Sequence, residues 1–156
     1  MDYFYRIVEQ LKKALIDERT TAVFYAMMRD MSTTFDGVDA FAEARRDEQD
    51  HAREITALLE QLTGRRPEEA DMPVRSPMVR DYCKGIMEAI EGEREAAVGY
   101  RAIINISPYE YVNTALWEII GDEELHLAKF RALYKTVCGK SFYSVDSDDQ
   151  KVDDDK

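Results

Sequence analysis

Four long segments of this chain carry apolar residues at intervals of three and four positions, and short stretches rich in helix-stopping residues separate them. That spacing places the apolar side chains of each segment on one face of an α-helix. Amphipathic helices of this length bury their apolar faces by packing against one another. We therefore predict an all-α chain in which residues 1–139 form one antiparallel four-helix bundle.

Capping residues predict where the first two helices begin and end. The first helix should cover Tyr3 to Met31, and the second should begin near Asp36 as its cap and stop at Gly64. The connection between them is short, and this makes the two helices antiparallel neighbours.

The third and fourth helices are predicted to form a second hairpin. The third should start at Ser76-Pro77, a cap followed by proline at the first helical position. The fourth should open with the capping-box sequence Ser107-Pro108-Tyr109-Glu110 and close at Gly139. The link around RRPEEADMPVR could span ~40 Å when extended, close to the ~42 Å length of a helix of about 28 residues. We therefore predict a long crossover between the second and third helices.

The acidic character of the chain limits its partners. The net charge is −11, whereas nucleic acids and anionic membranes attract clusters of lysine and arginine, so we expect neither partner. The opening sequence MDYFYRIVEQ lacks the pattern of a signal peptide, and no segment is apolar enough to span a bilayer. A cytoplasmic location is expected. Residues 140–156 are rich in aspartate and are predicted to form a disordered acidic tail.

The two cysteines, Cys83 and Cys138, lie far apart in the chain and form no C-x-x-C motif. Their spacing is therefore not that of a zinc knuckle or a redox pair. Free cysteines are usually buried and behave as small apolar side chains. We predict that both cysteines are reduced and structural.

Residues that can bind metals interrupt the apolar faces of all four predicted helices. They are Glu18 in the first helix, Glu48 and His51 in the second, Glu93 in the third, and Glu123 and His126 in the fourth. Ionised glutamates rarely occupy core-facing positions unless they are paired or bound to a metal. In each E-x-x-H sequence the carboxylate and the imidazole share one helix face and can reach the same interior point.

These polar positions recur in the second half of the chain with a constant offset of 75 residues. The corresponding pairs are Glu18 and Glu93, Tyr25 and Tyr100, Asp47 and Asp122, Glu48 and Glu123, and His51 and His126. The surrounding residues match poorly; Ile16, for example, corresponds to Glu91. One E-x-x-H sequence can be part of a solvated helix face, but two copies in register favour a metal site.

The pattern E…E-x-x-H…E…E-x-x-H on four helices resembles that of the ferritin-like di-iron carboxylate proteins. The resemblance covers residues 1–139. The E-x6-Y spacing in the first and third helices, together with L-T-G-R-R-P after the second, is most similar to rubrerythrin-like proteins. The resemblance implies a ferritin-like bundle that binds two iron ions per chain, although manganese or zinc would also suit carboxylate and imidazole ligands.

The resemblance also implies a role for each polar residue. The terminal ligands would be Glu18 and Glu93, the bridging ligands Glu48 and Glu123, and the histidine ligands His51 and His126. Beyond the ligands, Tyr25 and Tyr100 would hydrogen-bond to ligand carboxylates, or would be ordinary core aromatics. Asp47 and Asp122 would accept a hydrogen bond from the histidine ring nitrogen that does not face the metal, or would be solvated surface residues.

The expected function is the reduction of hydrogen peroxide or dioxygen by a di-iron centre. The sequence contains no cysteine-rich rubredoxin segment, so the electrons would come from Fe(II) or from an external donor such as a rubredoxin-like protein. Ala96 stands where rubrerythrins carry a further glutamate. We expect a homodimer. Two alternatives stay open, namely iron storage in a cage of many subunits and a structural metal-binding bundle without turnover.

Overall fold

The computed structural model describes residues 3–75 and 78–139. The helices within these residues are α1 (Tyr3–Met31), α2 (Phe35–Thr63), α3 (Tyr82–Ile106) and α4 (Glu110–Cys138). No strand occurs in the described ranges, which confirms the predicted all-α fold. The predicted acidic tail, residues 140–156, lies outside the described residues.

The four helices form two antiparallel hairpins. Helix α1 packs mainly on α2 and α3 mainly on α4, and the hairpins meet through α1 with α3 and through α2 with α4. The hydroxyl oxygens of Ser32 and Tyr82 lie 2.7 Å apart, so α3 begins at the end of the bundle where α1 ends. Helix α2 ends at the opposite end of the bundle, and the chain must travel the full length of the bundle to reach α3.

The segment of residues 64–81 makes this long crossover, which confirms the predicted topology. It contains one 3-10 turn, Glu69–Asp71, followed by Met72, whose side chain is buried in the core. The Nη1 atom of Arg19 in α1 donates a hydrogen bond of 3.1 Å to the carbonyl oxygen of Met72. The buried Met72 side chain and the contacts of Arg19 with Met72 and Glu69 therefore hold the middle of the crossover against the first hairpin.

The start of α2 differs slightly from the prediction. Thr34 is the N-cap, and its Oγ1 accepts a 3.1 Å hydrogen bond from the Gly37 amide. Asp36 lies in the first turn of the helix, where a negative charge is favoured by the helix dipole. The predicted stop at Gly64 is confirmed, since this residue closes α2 with φ of 70°.

The predicted starts of α3 and α4 are also displaced. Residues 76–77 lie outside the described residues, and α3 begins at Tyr82 because Asp81 caps it with a 2.8 Å hydrogen bond from the Lys84 amide. The predicted capping box at Ser107 is wrong. Ser107 instead closes α3 by donating its amide to carbonyls of that helix, and α4 begins at Glu110. Helix α4 closes at Gly139, as predicted.

The prediction that both cysteines are reduced is wrong, because Cys83 and Cys138 form a disulfide. Antiparallel pairing brings the first turn of α3 next to the last turn of α4, and the two Cα atoms lie 6.0 Å apart, a usual separation for a disulfide. Disulfides are typical of oxidising compartments. The bond therefore does not favour the predicted cytoplasmic location, which stays a prediction. Among the described residues, no helix is long and apolar enough to cross a membrane.

The bundle core consists of two apolar clusters with a polar layer between them. One cluster extends from Ile7 to Leu15 along α1, and the other contains Phe24, Tyr25 and Met28 of the same helix. Each of the other three helices likewise contributes to both clusters. The polar layer consists of Glu18, Glu48, His51, Glu93, Glu123 and His126, each 1–3 % exposed.

Candidate metal centre

The apolar periodicity of each helix directs these polar side chains inward. In α1, for example, Glu18 follows Leu15 by three positions and precedes Ala22 by four, and all three are buried. Glu93 has the same relation to Ile90 and Ala97 in α3. The helices therefore bury carboxylates in their own apolar stripes, which is costly unless a cation or a proton compensates their charge.

The six polar residues form two groups that share two members. Ligand atoms of Glu18, Glu48, His51 and Glu123 lie within 4.8 Å of one another, and so do ligand atoms of Glu48, Glu93, Glu123 and His126. Glu48 and Glu123 belong to both groups. These residues could hold two adjacent metal ions, each with one glutamate and one histidine of its own and with Glu48 and Glu123 in common.

Several inward-facing atoms in this layer lack a hydrogen-bond partner within the described part of the chain. They are Glu18 Oε2, Glu48 Oε1, both carboxylate oxygens of Glu123, His51 Nδ1 and His126 Nδ1. His51 Nδ1 lies 3.2 Å from Glu123 Oε1, close enough for an ion pair but out of line for a hydrogen bond. Buried polar atoms are seldom left without partners. Their convergence from four helices fits a pair of divalent metal ions.

Each of the two tyrosines hydrogen-bonds to a candidate ligand carboxylate of the opposite repeat. The hydroxyl of Tyr25 in α1 donates to Glu93 in α3, and the hydroxyl of Tyr100 in α3 donates to Glu18 in α1. Both tyrosines are buried. The structure therefore favours the predicted hydrogen-bonding role over the alternative of ordinary core aromatics.

The two aspartates likewise pair with the histidines of the opposite repeat. Asp122 Oδ2 in α4 lies 3.0 Å from His51 Nε2 in α2, and Asp47 Oδ2 in α2 lies 2.8 Å from His126 Nε2 in α4. Each aspartate can accept a hydrogen bond from Nε2–H and leave Nδ1 facing the centre. Such contacts orient a histidine ligand and raise its basicity.

Without metal, the histidines hold protons strongly. Burial opposes their charged form, but the carboxylates of Glu123 and Glu18 outweigh it and raise the pKa of His51 to about 11. For His126, the carboxylates of Glu123 and Glu93 likewise outweigh burial and raise the pKa to about 10. Both imidazoles would have to lose a proton from Nδ1 before a metal could bind there.

Burial and neighbouring charges shift the pKa values of these carboxylates in opposite directions. Burial, together with neighbouring carboxylates such as Glu18 for Glu48 and Glu123 for Glu93, raises the pKa values of Glu48 and Glu93 well above the ordinary range. Burial opposes the charge of Glu123, but its close contacts with Glu93 and with the two protonated histidines outweigh burial and lower its pKa to about 2. Protons therefore neutralise part of the layer when metal does not.

Neighbouring acidic residues in the same helices do not reach the layer. Glu124 is exposed and pairs with Arg101. Glu95 is also exposed, and Glu54 is only partly buried and belongs to neither ligand group. The helical register predicted from the apolar stripes is therefore the one the structure adopts.

The sequence predicted which residues form the polar layer, but not that the tyrosines and aspartates around it contact the opposite repeat. All six predicted ligands converge, and Tyr25, Tyr100, Asp47 and Asp122 surround them. The missed feature is that each tyrosine and each aspartate reaches into the other repeat. The equal spacing of the two repeats was the available signal, since a twofold arrangement makes such contacts reciprocal.

Solved structures of other proteins have the same four-helix fold as this chain. A ferritin-like, diiron-carboxylate protein from Bacillus anthracis matches with a TM-score of 0.75 and 18% identity, over 86% of this chain and 99% of that one. A protein from Xanthomonas campestris matches with a TM-score of 0.77 and 16% identity, over 88% and 94%. The chain therefore has the ferritin-like four-helix fold, as predicted.

A third solved structure shows the same architecture. A conserved hypothetical protein from Mycobacterium tuberculosis matches with a TM-score of 0.68 and 15% identity, over 80% of this chain and 94% of that one. No protein-family model matches this sequence, and no curated protein matches it. At these sequence identities, the similarity to solved structures shows the fold alone.

Proposed function

We propose that this protein is a rubrerythrin-like di-iron oxidoreductase that reduces hydrogen peroxide or dioxygen, with electrons from Fe(II) or an external donor such as a rubredoxin-like protein. The observation that carries this proposal is the pair of ligand groups joined by Glu48 and Glu123. A solved ferritin-like, diiron-carboxylate protein with the same fold supports it.

The charge of the layer fits two divalent ions. Four ionised glutamates supply four negative charges, which two divalent cations balance inside a buried site where uncompensated charge is costly. Iron bound there would supply one-electron redox chemistry at each of two adjacent positions, which together suit a two-electron oxidant. Manganese or zinc would satisfy the same ligands, so the identity of the metal is part of the proposal.

The residues around the ligands hold them in place for this chemistry. Tyr25 and Tyr100 fix the carboxylates of Glu93 and Glu18 by hydrogen bonds. Asp47 and Asp122 fix the rings of His126 and His51 with Nδ1 facing the centre. The apolar clusters above and below the layer separate it from both ends of the bundle.

Anaerobic loading with Fe(II), followed by separate exposure to hydrogen peroxide and to dioxygen, tests the proposal. We expect two iron ions per chain and the oxidation of two Fe(II) by one hydrogen peroxide, which consumes two protons and yields two waters. The zinc-loaded protein is the control and should consume no oxidant. Tight metal binding with oxidation no faster than that of Fe(II) in buffer would instead assign the centre a structural role.

The proposed assembly is a homodimer in the cytoplasm. Size-exclusion chromatography with light scattering separates this assembly from a storage cage, because a dimer has twice the 18.1 kDa mass of the chain, whereas a cage contains many subunits. A large closed shell would favour iron storage over the proposed enzyme.

A further inference from the structure

The groove between α1 and α3 leads from the surface to the candidate metal centre. It has a volume of about 500 Å³. Its floor contains four of the six candidate ligands, namely Glu18, Glu48, Glu93 and Glu123, together with the tyrosines that bind two of them. The groove therefore gives access to the face of the centre that is formed by carboxylates.

Small residues of α3 keep this groove open. Gly92, Ala96 and Gly99 line it and follow one another by four and three positions, so they share one face of the helix. A Cβ atom at Gly92 or at Gly99 would meet no atom within 4 Å. Ala14 and Thr21 of α1 line the opposite wall. Larger side chains at the glycines would fit the fold but would occupy the groove.

Buried carboxylates with unpartnered oxygens are among the residues that line this groove. Glu18 is 3 % exposed and Glu123 is 1 % exposed, and both line the groove. One oxygen of Glu18, one of Glu48 and both of Glu123 lack a hydrogen-bond partner among the described residues. Small wall residues and buried, unpartnered carboxylates together indicate that the groove is a binding site rather than a packing gap.

We infer that this groove admits organic hydroperoxides, ROOH with an uncharged alkyl or aryl group, as substrates beside hydrogen peroxide. The inference rests on the proposed function and names its substrate class. Hydrogen peroxide needs roughly the space of two waters, about 60 Å³ at about 30 Å³ each, a small part of the groove. A volume of about 500 Å³ lies in the range of sites for organic molecules.

The charges of the groove favour a neutral substrate. Its floor carries four glutamates, and Asp17 and Glu95 lie along its sides. Lys13, also in the groove, is paired with Asp17 at 2.6 Å. An anionic substrate would find no unpaired basic residue among the residues that line the groove, whereas the apolar part of a neutral hydroperoxide can contact Ala96, Ala102 and Ile103.

The reaction balances with the electron source of the proposed function. The O–O bond of ROOH breaks, two electrons and two protons are taken up, and ROH and water leave. With iron bound as proposed, two ferrous ions held by the six candidate ligands would supply both electrons of a single turnover. No other reductant is required.

Single-turnover oxidation of the ferrous-loaded protein by cumene hydroperoxide and by hydrogen peroxide tests the inference. We expect both oxidants to react with the native chain. In Gly99→Leu, the cumene hydroperoxide rate should fall by at least about tenfold, a usual discrimination by pocket size, while the hydrogen peroxide rate changes by less than about twofold. Elemental analysis should confirm two metals in the variant.

Gly121→Leu is the matched control. Gly121 also lies in a helix, and a Cβ atom added there would likewise meet no atom within 4 Å, but it is on α4 and does not line the groove. It should leave both rates unchanged. Reduction of hydrogen peroxide without reduction of cumene hydroperoxide would overturn this inference and leave the proposed function intact. Reduction of neither peroxide, together with no reaction with dioxygen, would overturn both.

A binding measurement that needs no turnover completes the test. 2-Phenyl-2-propanol, the redox-inert alcohol product, is titrated into zinc-loaded protein while amide resonances are followed. We expect chemical-shift changes at the amides of Gly92 and Gly99 in the native chain. In Gly99→Leu, the change at Gly92 should be lost. Shifts confined to Gly121 or to the crossover, or no saturable shift at all, would contradict binding in the groove.

Discussion

His126 Nε2 in α4 lies 2.8 Å from Asp47 Oδ2 in α2, and the distance links the histidine of one repeat to an aspartate of the other. His51 and Asp122 repeat the contact in the opposite direction. Each histidine thus has one nitrogen facing the candidate centre and one held from outside. This orientation is what a metal ligand requires.

Removing this outer contact should weaken metal binding without removing a ligand. We expect Asp47→Ala to lower the metal affinity by about 10–100-fold, the usual cost of losing a partner that orients a histidine ligand. Competition with a chromophoric chelator measures it. Asp50→Ala is the control, because Asp50 is an exposed residue of the same helix that pairs with Arg53. Equal affinities in the two variants would contradict the role of Asp47.

The register of α4 predicts a contrast between adjacent glutamates. Glu123→Ala should lose at least one of the two metals, because Glu123 belongs to both ligand groups. Glu124→Ala should keep both, since Glu124 is exposed. Elemental analysis after anaerobic loading and gel filtration makes the comparison. If both variants lost metal to the same extent, the assignment of Glu123 as a bridging ligand would have to be abandoned.

The same contrast should appear in α3. Glu93→Ala should lose metal, because Glu93 is buried and shares a ligand group with His126. Glu95→Ala should bind two metals as the native chain does, since Glu95 is exposed. Elemental analysis is again the measurement. Metal loss from Glu95→Ala but not from Glu93→Ala would contradict the assignment of the Glu93 face of α3 to the centre.

The metal-free protein should become less stable as the pH rises above neutrality. The folded histidines have pKa values raised to about 11 and about 10, above the ordinary value near 6.5. The folded state therefore binds more protons than the unfolded state between about pH 6.5 and about pH 10, so the free energy of unfolding falls across that window. The raised pKa values of Glu48 and Glu93 act in the same direction.

Urea unfolding of metal-free protein at pH 6.5, 8 and 9.5 measures this dependence, with the metal-loaded protein as the control. Each such proton contributes a slope of about 1.4 kcal/mol per pH unit at most. Metal binding requires deprotonated ligands, so loading at pH 7 should release protons into an unbuffered solution. A flat stability profile without proton release would contradict the protonated state derived for the layer.

Reduction of the disulfide should destabilise the bundle. The bond closes a loop with a sequence separation of 55 residues, for which loop entropy predicts about 4 kcal/mol as an upper figure. We expect the free energy of unfolding to fall by about 2–4 kcal/mol in reductant. The Cys83→Ser/Cys138→Ser double variant should already have the lower stability and should not respond to reductant. If reductant did not change the free energy of unfolding of the native chain, the disulfide would have no stabilising role.

The interior of this fold could be predicted closely because burial is periodic along a helix. Steps of three and four residues from Leu15 or Ile90 lead directly to Glu18 and Glu93, and the structure buries both. The same steps excluded Glu124. Fold class and the members of the polar layer follow from this one regularity, whereas the crossover followed from the length of the link after the second helix.

The parts that could not be predicted depend on competition between local alternatives or on tertiary pairing. Ser107 can cap α4 or close α3, and only the structure shows that it closes α3. The pairing of Cys83 with Cys138 depends on how α3 and α4 align. Helical periodicity predicts which face of a helix a residue occupies but not which other helix it contacts. The contacts between the two repeats therefore could not be predicted.

The reciprocal contacts mean that neither hairpin can complete the centre alone. The first hairpin contributes Glu48 to the ligand group of the second, and the second contributes Glu123 to that of the first. Because each repeat supplies what the other needs, two separate hairpins would have to associate as a symmetric pair to form such a centre. In that view the crossover, whose described residues 64–75 and 78–81 hold none of the candidate ligands, replaces association between two molecules by association within one chain.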